Sequence, residues 1–317
     1  MYFPYFRGKQ YELITVREQA TLMAKRKFVP IIEPVKESLS GLQRAVEAVH
    51  EAGGRYILIV NPYHGDHSPD AAKLQEYGDA MVGRAGASMG ILLMDGVAVD
   101  DVLELNERYK GQRVALIHMG FPEPRQLASE LGKEVGELTH VFVEDRCSKL
   151  YRRRFVSDER VLVRDGFRRL PNREYADVET FSDLHVTFED EGAEAFGDFL
   201  IVGNDYSESG GPAYAVAIHL TFIDHEYDDE LRMYHFKSDR SSTPQDPAGK
   251  FAEALKKLVD EVEREESPIL RTTAVREFLE LHHKEHFPGL GSVKRLSMNH
   301  HIAVSYTHLT LPTIYSV

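Results

Sequence analysis

Carboxylate and imidazole side chains follow the apolar runs of this sequence, at positions where they could bind a metal ion or transfer protons. The candidates for catalysis are Glu33, Asp95, His118, Glu144, Asp205 and His219. Carboxylate oxygens are the ligands that Mg²⁺ and Mn²⁺ prefer. A divalent-metal site is therefore predicted from Glu33, Asp95, Glu144 and Asp205. A bound ion of this kind would polarise a phosphoryl oxygen or activate a water molecule.

Basic and hydroxyl side chains close to the same runs could bind a phosphate-bearing ligand. They are Arg7, Lys9, Lys36, Arg164, Tyr206, Lys237 and Arg240. The Gly- and Ser-rich segment Asn204–Pro212 could add backbone N–H groups for an anion, although an ordinary loop has the same composition. The sequence has no Walker A motif, no GxGxxG, no HExxH and no cysteine pair, so it offers no support for a nucleotide cofactor, haem or zinc.

Eight short apolar runs, separated by amphipathic segments, would position these side chains. The runs are Val29–Ile32, Tyr56–Val60, Gly90–Met94, Val114–Ile117, His140–Val143, Val161–Val163, Phe199–Val202 and Tyr214–Phe222. Alternation of buried strands with helices is typical of stacked βαβ units. We predict an α/β fold, a TIM-like (β/α)8 barrel, in which the strand ends meet at one mouth. An open doubly wound parallel sheet is the alternative.

The C-terminal third is predicted to add elements to the barrel within a single domain over residues 1–302. Tyr214–Phe222 and Leu231–Phe236 form an antiparallel hairpin in this prediction, and Pro247–Glu265 and Ala274–His283 form amphipathic helices. The five aromatic residues of Tyr2–Glu12 are expected to plug one end of the barrel. The last stretch, Val304–Val317, contains no charged residue. Residues 303–317 are therefore predicted to be a non-native read-through tail.

The segment from Arg146 to Arg173 contains ten basic residues, nine of them Arg, and three acidic ones. Because the planar guanidinium group suits bidentate phosphate contacts, this segment is predicted to bind a nucleic acid or a nucleotide. Pairing of these arginines with acidic helices, within the chain or in a partner protein, is the alternative. The chain as a whole carries a net charge of −13, which argues against a general nucleic-acid coat.

Composition limits the protein class. With 42% hydrophobic and 28% charged residues, the 317-residue chain is globular rather than disordered or fibrous. It has no run of 18 apolar residues and no basic-then-apolar leader, so we expect no membrane association. The single cysteine, Cys147, excludes an intrachain disulfide and fits a reducing compartment, so we predict a cytoplasmic location.

Four stretches resemble an uncharacterised bacterial family within the phage Beta protein group, described simply as beta family proteins. They are YFPYFRGKQYELITVRE, PIIEPVK, GNDYSESGGPAYAVAIHLTF and FPGLGSVKRLSMNHHI, and the resemblance runs from Met1 to about Ile302. It implies a barrel-like α/β fold, a phage-defence or mobile-element setting and a nuclease-like companion protein. The matching positions, which have no assigned roles, are Arg7, Gly8, Lys9, Glu33, Pro34, Asp205, Tyr206 and His219.

Two functions of different class follow from these features. The first is a divalent-metal-dependent hydrolase acting on a phosphate-bearing or nucleotide-derived substrate. The alternative is a non-catalytic partner or regulator of the companion protein, which would dock through the Arg-rich segment and the aromatic N-terminus. A carbohydrate-active barrel is disfavoured because the chain has no Trp.

Overall fold

The computed structural model describes residues 1–208 and 211–308 of the protein. The chain divides into two compact units, where the sequence predicted a single domain over residues 1–302. Unit 1 comprises Met1–Asp165 and Thr187–Phe199, and unit 2 comprises Gly166–Val186 and the chain from Leu200 onward. No helix in the described part of the chain is long and apolar enough to cross a membrane.

Unit 1 is a closed barrel of eight parallel strands, which confirms the predicted TIM-like fold and excludes the open sheet. In barrel order the strands are β1 (Tyr2–Phe6), β2 (Ile31–Ile32), β3 (Tyr56–Ile59), β4 (Ala87–Leu93), β5 (Arg113–His118), β6 (Thr139–Val143), β7 (Arg160–Arg164) and β9 (Ala195–Asp198). The barrel closes where β9 pairs with β1. Closure leaves no strand edge unpaired.

Helices connect the strands, as the amphipathic segments between the apolar runs predict. They are α1 (Gln10–Lys25), α2 (Ser40–Glu51), α3 (Ala72–Asp79), α4 (Val99–Arg108), α5 (Pro124–Leu131) and the single turns α6 (Lys149–Arg152) and α7 (Leu184–Thr187). In α2, the apolar residues Leu42, Ala45, Val46 and Val49 are buried. Spacing of three and four residues places these side chains on one helix face.

Alternation along the strands decides which side chains reach the barrel axis. Ile31, Ile57, Ala115 and Ile117 belong to one buried cluster inside the barrel, and the intervening side chains face the helices. Arg7, Glu33 and Asn61 continue the interior rows of β1, β2 and β3. His118 follows Ile117 directly and therefore faces the helix layer.

Three segments differ from the prediction. Tyr2–Phe6 is a barrel strand rather than an aromatic plug, with Phe3 and Tyr5 in the interior cluster. The predicted strand Phe199–Val202 gives way to β9, and Leu200–Val202 forms a 3₁₀ turn. At Gly197 of β9, an added Cβ would lie 2.2 Å from the carbonyl oxygen of Phe3. Because β1 lies so close, β9 requires a glycine at this position, and the glycine interrupts the apolar run of β9.

The third segment is Tyr214–Phe222, which was counted as the eighth barrel strand. It contributes β10 (Ala217–Asp224), which belongs to unit 2 together with β11 (Glu230–Lys237) and β8 (Val178–Ser182). These strands form an antiparallel sheet in the order β10-β11-β8, which confirms the predicted hairpin. The C-terminal helices α8 (Pro247–Val262), α9 (Thr273–His283) and α10 (Leu290–His308) belong to the same unit. They share an apolar core with the sheet.

Helix α10 contains the first residues of the predicted read-through tail. The helix continues to His308, and Val304 and Ser305 are buried in it. Residues 309–317 of that tail lie outside the described residues, as do residues 209–210 of the predicted anion-binding segment. The non-native origin of the tail stays a prediction.

Candidate functional site

A buried ion pair occupies the carboxyl-terminal mouth of the barrel. Nε of Arg7 donates to Oε2 of Glu33 at 3.2 Å, and the two residues are 4% and 1% exposed. The Tyr5 hydroxyl donates to the same oxygen at 2.9 Å. The backbone N–H groups of Tyr63 and His64 donate to Oε1 at 3.2 Å each. Four donors therefore fix the Glu33 carboxylate, and burial raises the pKa of Tyr5 well above 10.

The chain reaches this arrangement through a tight turn after β1. Gly8 adopts a φ of +58°, and an added Cβ would lie 2.8 Å from the carbonyl oxygen of Glu33. The backbone N–H of Arg7 donates to Oε2 of Glu12 at 2.5 Å. This hydrogen bond ties the turn after β1 to the first turn of α1. The Arg7 guanidinium lies 5.9 Å and 5.7 Å from the ring centroids of Tyr5 and Phe199.

A cleft of about 510 Å³ opens between the loops that follow β3 and β4. It is lined by Asn61, Pro62, Tyr63, His67, Ser68, Ala71, Gln75, Leu92, Met94, Asp95, Gly96, Val97, Asp101, Glu104 and Leu105. The side chain of Asn61 joins the two strands, since it donates to the Leu92 carbonyl at 3.0 Å and accepts the Leu92 N–H at 2.8 Å. These two hydrogen bonds hold Asn61 and Leu92, which both line the cleft, against each other.

The cleft is acidic. Asp95, Asp101 and Glu104 line it, and its lining contains no Lys or Arg. All three carboxylates are exposed, and none has a salt bridge or hydrogen bond among the described residues. Asp101 and Glu104 are three residues apart on α4, which places them on the same helix face. Carboxylates that concentrate around a concave site attract cations and repel anions.

The structure spreads the other predicted catalytic residues of unit 1. Glu144 forms an ion pair with Arg164, whose Nη2 lies 2.9 Å from Oε1 and whose Nε contacts Oε2. Lys9 precedes α1 and is half-buried, and Lys36 is exposed. Of the predicted metal ligands in unit 1, Glu33 lies at the barrel mouth, Asp95 lies in the cleft, and Glu144 is paired with Arg164.

His118 lies away from the mouth, against the prediction. It is fully buried between the helix layer and the strand, with its ring stacked on Phe142 at 4.6 Å. Nε2 lies 3.0 Å from Nδ1 of His140, and Nδ1 lies 2.8 Å from the Tyr151 hydroxyl. Burial lowers the pKa of His118 well below 6.5. With both ring nitrogens occupied by protein groups, this imidazole stabilises the packing of unit 1.

Metal binding stays a prediction. Within residues 1–208 and 211–308, no three His, Cys, Asp or Glu side chains lie close enough together to hold a metal ion. Asp205, the fourth predicted ligand, belongs to unit 2. Its carbonyl oxygen accepts a hydrogen bond from Arg169 at 3.4 Å.

In unit 2 the predicted ligand-binding cations have acidic neighbours. Nζ of Lys237 lies 3.0 Å from Asp177, and Arg240 pairs with Asp246 at 2.8 Å and with Glu253. Tyr206 follows Asp205 and is half-buried. These contacts leave the predicted phosphate-binding roles untested.

His219 is part of a histidine pair in unit 2. It faces His235 across the hairpin, and the two Nδ1 atoms are 2.7 Å apart. Nε2 of His235 lies 3.1 Å from Oε1 of Glu179 on β8. The ring of Tyr175 stacks on His235 at 4.4 Å. Glu179 was not a candidate from the sequence, because its strand was not predicted.

The Arg-rich segment is divided between the two units. Within unit 1, Arg146 pairs with Asp145 at 3.4 Å, and Lys149 and Arg152 approach Glu191 at 3.0 and 3.4 Å. These ion pairs and the Arg164–Glu144 pair are the contacts expected from the alternative interpretation, in which the basic residues pair with acidic residues within the chain. Nucleic-acid or nucleotide binding by this segment stays a prediction.

No protein-family model matches the chain, and no curated protein matches it at a significant level. The resemblance to the beta family proteins therefore stays a prediction. The same holds for the phage-defence setting, the nuclease-like companion and the cytoplasmic location.

Proposed function

We propose that unit 1 is a ligand-binding barrel whose cleft beside β3 and β4 holds a small organic cation with amine or guanidine groups. The observation that carries this proposal is the set of three carboxylates, Asp95, Asp101 and Glu104, in a lining without a basic residue. The cleft volume of about 510 Å³ falls in the range of small-molecule sites.

The rest of the lining suits the same class of ligand. Asn61 and Gln75 supply amide groups, and Tyr63 is 51% exposed, so its ring is accessible to a cation. An amine nitrogen within 4 Å of a partly exposed carboxylate contributes about 0.2–1 kcal/mol. Two or three such contacts and one stacked ring together contribute at most about 5 kcal/mol, so we expect weak binding, with a Kd in the millimolar range.

The predicted phosphate-bearing substrate fits unit 1 less well. Two of the cations expected to hold it, Arg7 and Arg164, are in ion pairs with Glu33 and Glu144. A phosphate group in the cleft would face three carboxylates and no cation of the lining. Hydrolysis of a phosphate-bearing substrate and docking of a companion protein remain the earlier predictions, with no observation in unit 1 that favours them over cation binding.

The test is calorimetric titration of the full chain with spermidine and agmatine, and with adenosine monophosphate as the anionic comparison. We expect both amines to bind at physiological ionic strength and the nucleotide not to bind in the cleft. Asp101→Asn should weaken amine binding about fivefold, because it removes one charge contact.

Asp100→Asn is the matched control. Asp100 is the preceding residue of α4, it is exposed, and it is outside the cleft lining. The two variants change the net charge equally, so a general attraction of amines to an acidic protein would weaken equally in both. Equal affinities of the two variants, or no heat from either amine, would refute the proposal.

A further inference from the structure

One buried side chain in the lining of the cleft has a ring nitrogen that no protein group uses. His67 lies in the loop after β3, lines the cleft and is 3% exposed. Its Nε2 lies 3.0 Å from the carbonyl oxygen of Lys36, in the loop after β2. Its Nδ1 has no hydrogen-bond partner within residues 1–208 and 211–308, and it is not closed off from solvent. An unused polar atom on a buried side chain of a concave site points to a ligand.

The contact with Lys36 determines which nitrogen of His67 carries the proton. A carbonyl oxygen can only accept a hydrogen bond, so Nε2 must donate. In the neutral ring, Nδ1 then carries a lone pair and no proton. The two nitrogens of an imidazole point in nearly opposite directions, so Nδ1 faces away from Lys36, which is outside the cleft lining. The lone pair is therefore directed to the cleft side of the ring.

The loop that carries His67 is held against the loop after β2. The backbone N–H of Asp66 donates to the Val35 carbonyl at 3.1 Å, and the Asp66 carboxylate accepts the Glu37 N–H at 2.8 Å. Together with the His67–Lys36 contact, these bonds orient the imidazole before any ligand binds. An acceptor that is already oriented loses little conformational entropy on binding, so its hydrogen bond contributes more fully to affinity.

This acceptor adds a requirement that charge alone does not impose. The carboxylates of Asp95, Asp101 and Glu104 attract any small organic cation. The lone pair of His67 gains a hydrogen bond only from a ligand that carries a donor hydrogen. Protonated amines and guanidines have several N–H groups, whereas a quaternary ammonium group has none. A quaternary ligand that displaced water from His67 would leave a polar atom without a partner, which is unfavourable.

We propose that His67 determines which cations the cleft binds, with Nδ1 accepting a hydrogen bond from an N–H group of the ligand. The cleft therefore selects amines and guanidines over quaternary ammonium compounds of the same charge and length. This inference rests on the proposed function of the cleft. It assigns to one residue a choice among cations that the three carboxylates cannot make.

The experiment compares hexamethylenediamine with hexamethonium, which has the same spacer and the same two positive charges but carries methyl groups in place of every N–H. Both are titrated into the full chain labelled with ¹⁵N-histidine and followed by nitrogen NMR. At about pH 8 an ordinary imidazole is neutral. His67→Gln identifies the signals of His67. We expect a neutral ring with its proton on Nε2 in the free protein, and a shift of the Nδ1 signal with the diamine but not with hexamethonium.

The affinities of the two compounds are then compared between variants. Gln at position 67 can keep a donor to the Lys36 carbonyl, but it has no acceptor at the position of Nδ1. His67→Gln should reduce the preference for the diamine over hexamethonium about fivefold, the contribution of one hydrogen bond. Its affinity for hexamethonium should stay unchanged, which shows that the cleft is intact. Because the effect is a ratio of ratios, the different sizes of the two compounds cancel.

His50→Gln is the matched control. His50 lies on α2 outside the cleft lining, and its Nδ1 lies 3.2 Å from the Ala85 carbonyl oxygen. This substitution should leave the preference unchanged. A proton on Nδ1 of His67 in the free protein, or the same preference in His67→Gln as in the unaltered protein, would overturn the role of His67 while cation binding stood. Binding of neither compound would refute the proposed function and this inference with it.

Discussion

Replacing Glu33 by Gln tests the ion pair that closes the mouth of the barrel. Gln keeps the size of the side chain and one acceptor oxygen, so the N–H groups of Tyr63 and His64 can still be satisfied. The negative charge opposite Arg7 is lost, and Arg7 is 4% exposed. Removing one partner of a buried ion pair costs about 3–5 kcal/mol, because the remaining charge stays out of water.

That cost is a large part of the stability of a domain, which is typically about 5–15 kcal/mol. Hydrogen exchange followed by mass spectrometry reports unit 1 separately, through the amides of β1, β2 and β3. A loss of about 3 kcal/mol would speed their exchange by about 150-fold if these amides exchange through global opening.

Glu47→Gln is the matched control, since it breaks the exposed Arg84–Glu47 pair of the same unit, whose Glu47 side chain is 49% exposed. We expect almost no change in the exchange of β1–β3 from this substitution. The double variant Arg7→Met with Glu33→Gln should recover part of the loss, because no unpaired charge remains. If Glu33→Gln changed exchange as little as Glu47→Gln, the reasoning about the buried pair would be refuted.

Three further predictions concern single positions. Gly8→Ala should destabilise the protein by about 1 kcal/mol or more beyond Gly53→Ala in urea unfolding, since both glycines have positive φ but only the Gly8 substitution would place a Cβ against backbone; equal losses would contradict the close contact. Burial lowers the pKa of His140 to about 4 from 6.5, so the unfolded chain binds the proton first, and stability present above pH 6.5 falls as pH decreases toward 4, by about 2 kcal/mol at pH 5. His140→Gln should flatten this pH dependence of the unfolding free energy, and an unchanged slope would show that His140 is not its source. Burial raises the pKa of Cys147 to about 11, so its thiol should not react with Ellman's reagent near neutral pH until urea unfolds the chain; rapid reaction of the folded protein would contradict the burial.

Most of the barrel could be predicted from the sequence because its central strands are continuous apolar runs. Tyr56–Ile59 and His140–Val143 are buried on both faces. Their continuous apolar sequence therefore identifies them as strands without knowledge of the strands they pair with. The closing strand β9 has the sequence AFGD, whose Gly197 is set by the approach of β1. Strand β8 has a half-exposed pattern. Neither carries a local signal strong enough to identify it.

The site was predicted less completely, for three physical reasons. Asp95 follows β4 and could be placed, whereas Asp101 and Glu104 lie on α4, and the face that this helix presents to the cleft depends on packing. His118 was misplaced because position after a strand was weighed without side-chain alternation, which Ala115 and Ile117 reveal. The pairing of Arg7 with Glu33 joins residues 26 positions apart and has no sequence signal.

The most direct test of the central claim is a crystal structure of the full chain grown with spermidine. The cation-binding account predicts the amine in the cleft beside β3 and β4, with nitrogen atoms within about 4 Å of carboxylates of Asp95, Asp101 or Glu104. An empty cleft at a concentration that saturates binding in solution, with spermidine bound at another surface, would contradict it.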